Sequence, residues 1–457
     1  MSSLPSAFTD TLDQLPGFNK ESFLEVHNSA ERITSIRLHP QKATALFPEL
    51  APTPVPWNRY GYYLSARPSF TLDPYFHAGA YYVQEASSMF LEEALRQTTD
   101  LSQPLKALDL CAAPGGKSTL IQAVLHPDSL LIANDVIKSR AGLLADNITK
   151  WGADNVVVTN NDPRDFARLG DFFDVMVVDA PCSGSGLFRR DPEAVEEWSQ
   201  ENVILCSQRQ QRILADVLPA LKPGGVLIYS TCSYAKEEDE NIMEWLLGNF
   251  ELENIPLTID PAWNIVTSVT DQYKAHGYRF YPDQVKGEGF FIACFRKKGE
   301  EGVAKKMRQQ IAALPAKESA RLLPWLRDAA NLTFVDHKGE VIILRSSIAT
   351  ELPVLQKKLY LRKAGVKAGQ LTQKELIPDH QLALSTCISA ELPAVELPLE
   401  HALRYLRKED LQLDLSVKGW TLMRYGGMNL GWAKVLPNRI NNYYPKEMRI
   451  LKAGMPE

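Results

Sequence analysis

Two cysteines carry the chemistry that this chain could perform. Cys182 lies in Asp179-Ala180-Pro181-Cys182-Ser183-Gly184 and Cys232 in Ser230-Thr231-Cys232-Ser233-Tyr234, each closing a hydrophobic run and each followed by serine. A lone free cysteine is usually a buried structural thiol. Two at the ends of successive strand patterns, flanked by serine and glycine, favour reactivity. A thiol beside a methyl donor has a specific use on a pyrimidine. C5 of the ring is a poor nucleophile; thiolate addition at C6 breaks the aromaticity and makes C5 enamine-like, so one hard step becomes two easier ones. Free cysteine has a pKa of about 8.5, so positive surroundings such as Lys117 are needed to raise the thiolate fraction. Asp179 could stabilise charge developing at N3, and a second thiol could assist the β-elimination that frees the product. The target base must be unpaired or turned out of its helix.

The elements that would position these groups centre on Ala107–Leu125, ALDLCAAPGGKSTLIQAVL. It reads as a buried strand over Ala107–Cys111, a Gly/Pro loop, then a helix from about Lys117. Such a loop brings bare backbone N–H groups up to a ligand. A phosphate-binding loop ending in Gly116-Lys117-Ser118 would need glycine at position 111, where Cys111 stands, and no G-x-G-x-x-G fits. The next strand patterns end in acids. Asp135 suits the hydroxyls of a ribose, Asp162 an exocyclic adenine amine, and Asp179 follows on the fourth. One acid at a strand end is usually a cap. Acids after three successive strands suggest a site for an adenosine-containing ligand, and beside a glycine loop without a phosphate signature S-adenosyl-L-methionine fits better than a dinucleotide.

Strand and helix patterns alternate from about 104 to 297: ALDLC, SLLIAND, NVVVTNND, DVMVVDAP, GVLIYSTCS and GFFIACFRK, with SRAGLLADNITKWG and SQRQQRILADVLPALKPGG as helices between them. This argues for a parallel sheet covered on both faces, and the last strand is compatible with an antiparallel final hairpin. The second helix is expected to stop at Pro223-Gly224-Gly225. Before the core, ERITSIRLHP reads as a strand and a helix closes the region after Glu85. Tyr62, Tyr63, Tyr81 and Tyr82 there could stack on bases, but core packing is the stronger reading. KKGEEGVAKKMRQQ reads as a linker and helix. TFVDHKGEVIILR reads as a hairpin about His337-Lys338-Gly339, and two more strands meet near Gly426-Gly427.

With 457 residues, 45% hydrophobic and 23% charged, the chain is globular and too long for one core. Six dispersed cysteines without C-x-x-C spacing and eight histidines argue against zinc and for free thiols in a reducing cytoplasm. No run of eighteen apolar residues is present, and the first residues lack the basic start and apolar core of a secretory signal. Net charge is −5, but Glu301–Glu457 holds 24 Lys+Arg against 16 Asp+Glu, which suggests that this part touches a polyanion.

CAAPGGK, DAPCSGSG and STCSY, with YYVQEASSM before them and GEGFFIACFRK after, resemble the signature motifs of the RNA cytosine-C5 methyltransferases over roughly 80–297. The resemblance implies a Rossmann-like class I methyltransferase core, an α/β fold. It implies Cys232 as nucleophile, Cys182 as the residue promoting product release, and cofactor contacts from Cys111, Ala112, Ala113, Pro114, Gly115, Gly116 and Lys117 with Asp135, Asp162 and Asp179. Cys111 stands where some members carry a small residue and is expected only to line the loop. LGWAKVLPNRINNYYPKEMR resembles the closing segment of bacterial small-subunit rRNA members, which implies a mainly β, PUA-like RNA-binding module. The expected division is 1–98, a small α/β accessory or RNA-binding domain; 99–299, the methyltransferase core; 300–380, a linker domain; and 381–457, the PUA-like module. The expected activity is 5-methylcytosine formation in 16S rRNA by a cytoplasmic monomer, without metal or membrane. Competing readings are the same chemistry on tRNA, or an RNA-binding ribosome-assembly factor, against which the intact cysteine pair argues. An amino-methyltransferase would need an Asn/Asp-Pro-Pro-aromatic motif that Asp179-Ala180-Pro181-Cys182 lacks.

Overall fold

The computed structural model describes residues 4–29, 31–42, 47–299 and 313–455. The helix expected over 297–310 therefore falls almost wholly outside the described residues.

The alternating patterns fold as β1 (Lys106–Asp109), α1 (Gly116–Val124), β2 (Leu130–Asn134), α2 (Lys138–Trp151), β3 (Val156–Thr159), β4 (Phe173–Asp179), α3 (Gln200–Val217) and β5 (Leu221–Thr231). Two later strands, β6 (His276–Phe280) and β7 (Phe290–Lys297), and an unexpected one, β8 (Leu361–Ala364), join the same sheet. Among the described residues this sheet has ten strands: Val266–Val269 forms the edge beside β6, the order continues β6–β7–β5–β4–β1–β2–β3–β8, and Leu252–Asn254 also pairs with β7; β1 to β5 are parallel and β7 is antiparallel to β5. The order reverses between β1 and β4. Such a reversal, at the carboxyl ends of the strands, is the position where open α/β sheets bind ligands.

Residues alternate between the two sheet faces, and both faces are covered. Ala107, Val175, Val177, Val226 and Ile228 pack with α1, α2 and the N-terminal region. Leu108, Met176, Val178, Leu227 and Tyr229 pack with α3 and with Leu344, Ile348, Leu352 and Leu355 from beyond residue 313. Burial on both sides is why these strands read as continuous apolar runs. One expectation needs correction. The third helix ends at Val217, gives one 3-10 turn over Leu218–Ala220, and Lys222–Gly225 already belong to β5. Pro219 has no N–H for the α-helical ladder, so the break comes before the glycine pair.

The N-terminal region forms a four-stranded antiparallel sheet of Thr53–Pro54, Gly61–Leu64, Thr34–Leu38 and Tyr81–Val83. Tyr63 and Tyr81 are buried, and Tyr62 and Tyr82 are half-buried against apolar clusters, in line with core packing. Arg37 ties this sheet to the core: it donates to Gln84 (2.9 Å) and Thr119 (2.6 Å) and lies 4.8 Å over Trp151. After residue 313 come two further four-stranded sheets. The first holds the expected hairpin, Leu332–His337 with Glu340–Arg345. Its turn residues Lys338 and Gly339 both have positive φ, as a tight two-residue turn requires. The second pairs Gly419–Tyr425 with Met428–Leu436 across Gly426-Gly427.

Candidate active site

The residues singled out in the sequence lie at or after the carboxyl ends of β1 to β5. Asp179 ends β4 and Thr231 ends β5, and these strands are neighbours, so the loops that follow lie side by side. They bring Cys182 Sγ and Cys232 Sγ to 3.1 Å, both half-buried free thiols. Contact with Cys232, then burial, holds the Cys182 thiol well above its ordinary pKa. A protonated Cys182 can donate to the sulfur of Cys232.

Lys117, in the first turn of α1, reaches across to Asp179: Nζ is 2.8 Å from Oδ2, and Ser230 donates to Oδ1 at 2.8 Å. Burial pulls the Lys117 ammonium down. Asp179, then Cys232 and Asp109, more than offset this, so its pKa lies above the usual lysine value. A full positive charge thus stands near the Cys232 sulfur.

The loop from Cys111 to Lys117 is held from behind. Ala112 N–H donates to Asn134 O (2.7 Å), Arg140 to Ala113 O (2.8 Å) and Asn147 to Pro114 O (2.8 Å). Gly115 has φ +115°, open to glycine, and a Cβ there would come within 3.2 Å of Leu144. Burial, then Asp109, Asp179 and Asp135, push the Cys111 thiol up, so this third sulfur stays protonated.

The acids have distinct surroundings. Asp135 is buried, accepts from Ile137 N–H at 2.9 Å and has Arg140 3.5 Å away. Asp162 caps the short helix Pro163–Phe166 through Arg164 N–H at 3.2 Å. Asp109, which ends β1, is fully buried; Ser118 donates to its Oδ2 at 2.6 Å, while Oδ1 has no partner. Burial raises its pKa to about 7. An unpartnered carboxylate oxygen, a turn whose positive φ favours glycine and two further acids at strand ends suit a ligand rich in hydroxyl, amine and cationic groups. S-adenosylmethionine is such a ligand. Among the described residues no cluster of three or more His, Cys, Asp or Glu could hold a metal ion, and no helix is long and apolar enough to cross a membrane.

Sequence reasoning missed Asp109, Glu238 and Arg279. Glu238 belongs to the acidic run Glu237–Glu240, which reads as a solvated charge cluster, yet Glu238, Asp239 and Glu240 are all buried. Arg279 on β6 explains the last two: it pairs with Asp239 (3.1 Å) and with Glu240, and donates to Tyr234 O at 3.0 Å. A buried arginine forty residues downstream leaves no local signal. For Asp109, the available signal is an acid inside an otherwise apolar strand.

The family described as 16S rRNA methyltransferase RsmB/F matches residues 98–296, that described as the N-terminal domain of 16S rRNA methyltransferase RsmF matches 4–86, and that described as the methyltransferase RsmF PUA domain matches 392–450. Ribosomal RNA small subunit methyltransferase F of Aliivibrio fischeri (strain MJ11) is 31% identical over 409 residues, 86% of this chain and 85% of that one. The protein of the same name from Aeromonas salmonicida (strain A449) is 32% identical over 411 residues, 86% and 84% of the two chains. Among solved structures, a methyltransferase homolog protein from Pyrococcus horikoshii superposes with a TM-score of 0.54 at 30% identity, over 64% of this chain and 95% of that one. NSun6 from Pyrococcus horikoshii shares the fold, with a TM-score of 0.54 at 21% identity over 65% and 99%.

Proposed function

Because the chain belongs to the 16S rRNA methyltransferase RsmB/F family, an S-adenosylmethionine-dependent class of rRNA methyltransferases, we propose that it methylates C5 of a cytosine in 16S rRNA through a transient Cys232–C6 bond. The observation that carries this reading is the pair of sulfurs 3.1 Å apart at the carboxyl ends of β4 and β5, with the Lys117–Asp179 ion pair beside them.

When bound, S-adenosylmethionine supplies the methyl group. The protein's residues divide the remaining work. The Cys232 sulfur, beside the Lys117 ammonium, adds as a thiolate to C6 of the extruded cytosine. Asp179 lies beside the ring edge, where its carboxylate, already held by Lys117 and Ser230, steadies charge at N3 and the amine. After methylation C5 loses its proton to a base, the electron pair expels the Cys232 thiolate, and the C5–C6 double bond re-forms. Cys182, protonated and touching the same sulfur, assists that expulsion. The loop from Cys111 to Lys117, with Asp135 and Asp162, forms the cofactor half of the site. The division at 98, 299 and 380 and an RNA-binding role for the basic residues after 300 belong to the same reading.

The test is direct. Purified protein and S-adenosylmethionine are combined with 16S rRNA, small-subunit particles or tRNA from a strain lacking the gene, and the RNA is read by bisulfite sequencing and by mass spectrometry of its nucleosides. A newly protected cytosine in 16S rRNA is the expected result. Protection confined to tRNA would overturn the substrate, and methylated adenine or guanine would overturn the chemistry.

A further inference from the structure

The two thiols touch at 3.1 Å, and the residues that follow them are tied to one carboxylate. Ser183, after Cys182, donates its hydroxyl to Glu238 Oε2 at 2.5 Å and its backbone N–H to Oε1 at 2.8 Å. Ser233, after Cys232, donates its hydroxyl to the same Oε2 at 2.5 Å. Gln210 on α3 joins from a third side, donating to Glu238 Oε1 (3.3 Å) and to Pro181 O (3.1 Å), one residue before Cys182. Glu238 is itself held through its carbonyl, which accepts from Tyr229 at 2.6 Å. It is fully buried, and charge-assisted hydrogen bonds in such a place are short and strong.

We propose that Glu238 is a positioning residue: its carboxylate, shared by Ser183 and Ser233, fixes the separation of the Cys182 and Cys232 sulfurs. Its catalytic importance rests on the two-cysteine reading above. An amide at this position keeps one acceptor oxygen. In Glu238→Gln the nitrogen cannot accept, so either the two serine hydroxyls at Oε2 or the Ser183 N–H and Gln210 at Oε1 lose their acceptor, and the four-donor anchor is broken while the side-chain volume is unchanged. Ser233→Ala removes only one arm and serves as a milder variant should the first fold poorly.

The separation can be measured without RNA. An azodicarboxamide oxidant takes two electrons and two protons from the thiols, becoming a hydrazine, and leaves a Cys182–Cys232 disulfide. Closure is followed by peptide mass spectrometry, with Cys182→Ala as the blank, and methyl transfer to 16S rRNA is measured in parallel. Wild type should close rapidly, and Glu238→Gln and Ser233→Ala should close at least about tenfold more slowly, because effective molarity falls steeply as geometry loosens. Turnover should fall with it in both variants. Wild-type closure rates in both variants, or no closure in wild type, would overturn the proposal. Slow closure with undiminished turnover would leave Glu238 as the spacer and instead overturn the two-thiol mechanism.

Discussion

Gly186 offers a sharp test of how closely the two cysteine loops must fit. Its N–H donates to Cys232 O at 2.7 Å, and a Cβ built on it would lie 2.6 Å from both Cys232 O and Gly289 O. Both neighbours are backbone atoms, so no side chain can swing aside. Restoring ordinary contact, which begins at 3.4 Å, requires Cys232 to retreat by about 0.8 Å. A misplacement of about 1 Å at a reacting group can lower rates about a hundredfold, and overpacking of this kind costs about 1–3 kcal/mol. Gly186→Ala should therefore fold, lose about 1–3 kcal/mol in urea unfolding, and transfer methyl groups about a hundredfold more slowly in single turnover. Gly184→Ala is the matched control. Gly184 has φ +76° and no atom within 4 Å of a built Cβ, so alanine there brings backbone strain of about 1–2 kcal/mol without pushing Cys232. The two variants should be similarly destabilised but separate in rate. If Gly186→Ala turned over within about threefold of wild type, the claim that Cys232 tolerates no displacement would be wrong.

Cys232→Ala should abolish methyl transfer while cofactor binding, read by calorimetry, persists; residual turnover would remove the cysteine from its role. Cys182→Ala should accumulate protein–RNA adducts that survive a denaturing gel, and free RNA alone would count against it as the releasing residue. Asp109, whose folded pKa of about 7 lies above its unfolded value near 3.8, makes its most favourable contribution to stability below about pH 4 and a progressively less favourable one up to about pH 7. Asp109→Asn should gain on wild type across that window, by about 4 kcal/mol at most, in urea unfolding at a series of pH values; a pH-independent difference would refute the buried charge. Replacing Arg439, Lys446 and Arg449 with alanine should weaken RNA binding and flatten the slope of log affinity against log salt by up to about 2–3, and an unchanged slope would move the RNA surface elsewhere.

The motif residues and their strand ends were legible because each constraint is local. The glycine turn, the acid after β2 and the cysteines after β4 and β5 follow directly on apolar runs whose carboxyl ends a parallel sheet must align. What stayed hidden depends on partners far away in the chain. Glu237–Glu240 looks like surface charge until Arg279 and the serines of two loops are brought to it. Leu361–Ala364 gives no sign that it pairs with β3, two hundred residues earlier, because an isolated four-residue strand looks the same in any sheet. The helix end at Val217 was misplaced by the pull of a glycine pair over a nearer proline.

That borrowed strand, β8, has a consequence for anyone who would dissect or recombine the protein. Residues beyond 313 both seal the open flank beside β3 and contribute Leu344, Ile348, Leu352 and Leu355 to the core on one face of the sheet. A fragment cut at 299 would bare a row of unsatisfied backbone groups next to stripped hydrophobic surface, a recipe for aggregation. Chimaeras that exchange target-recognition modules between relatives should therefore keep the segment through Ala364 with its own catalytic half, and place the junction beyond it.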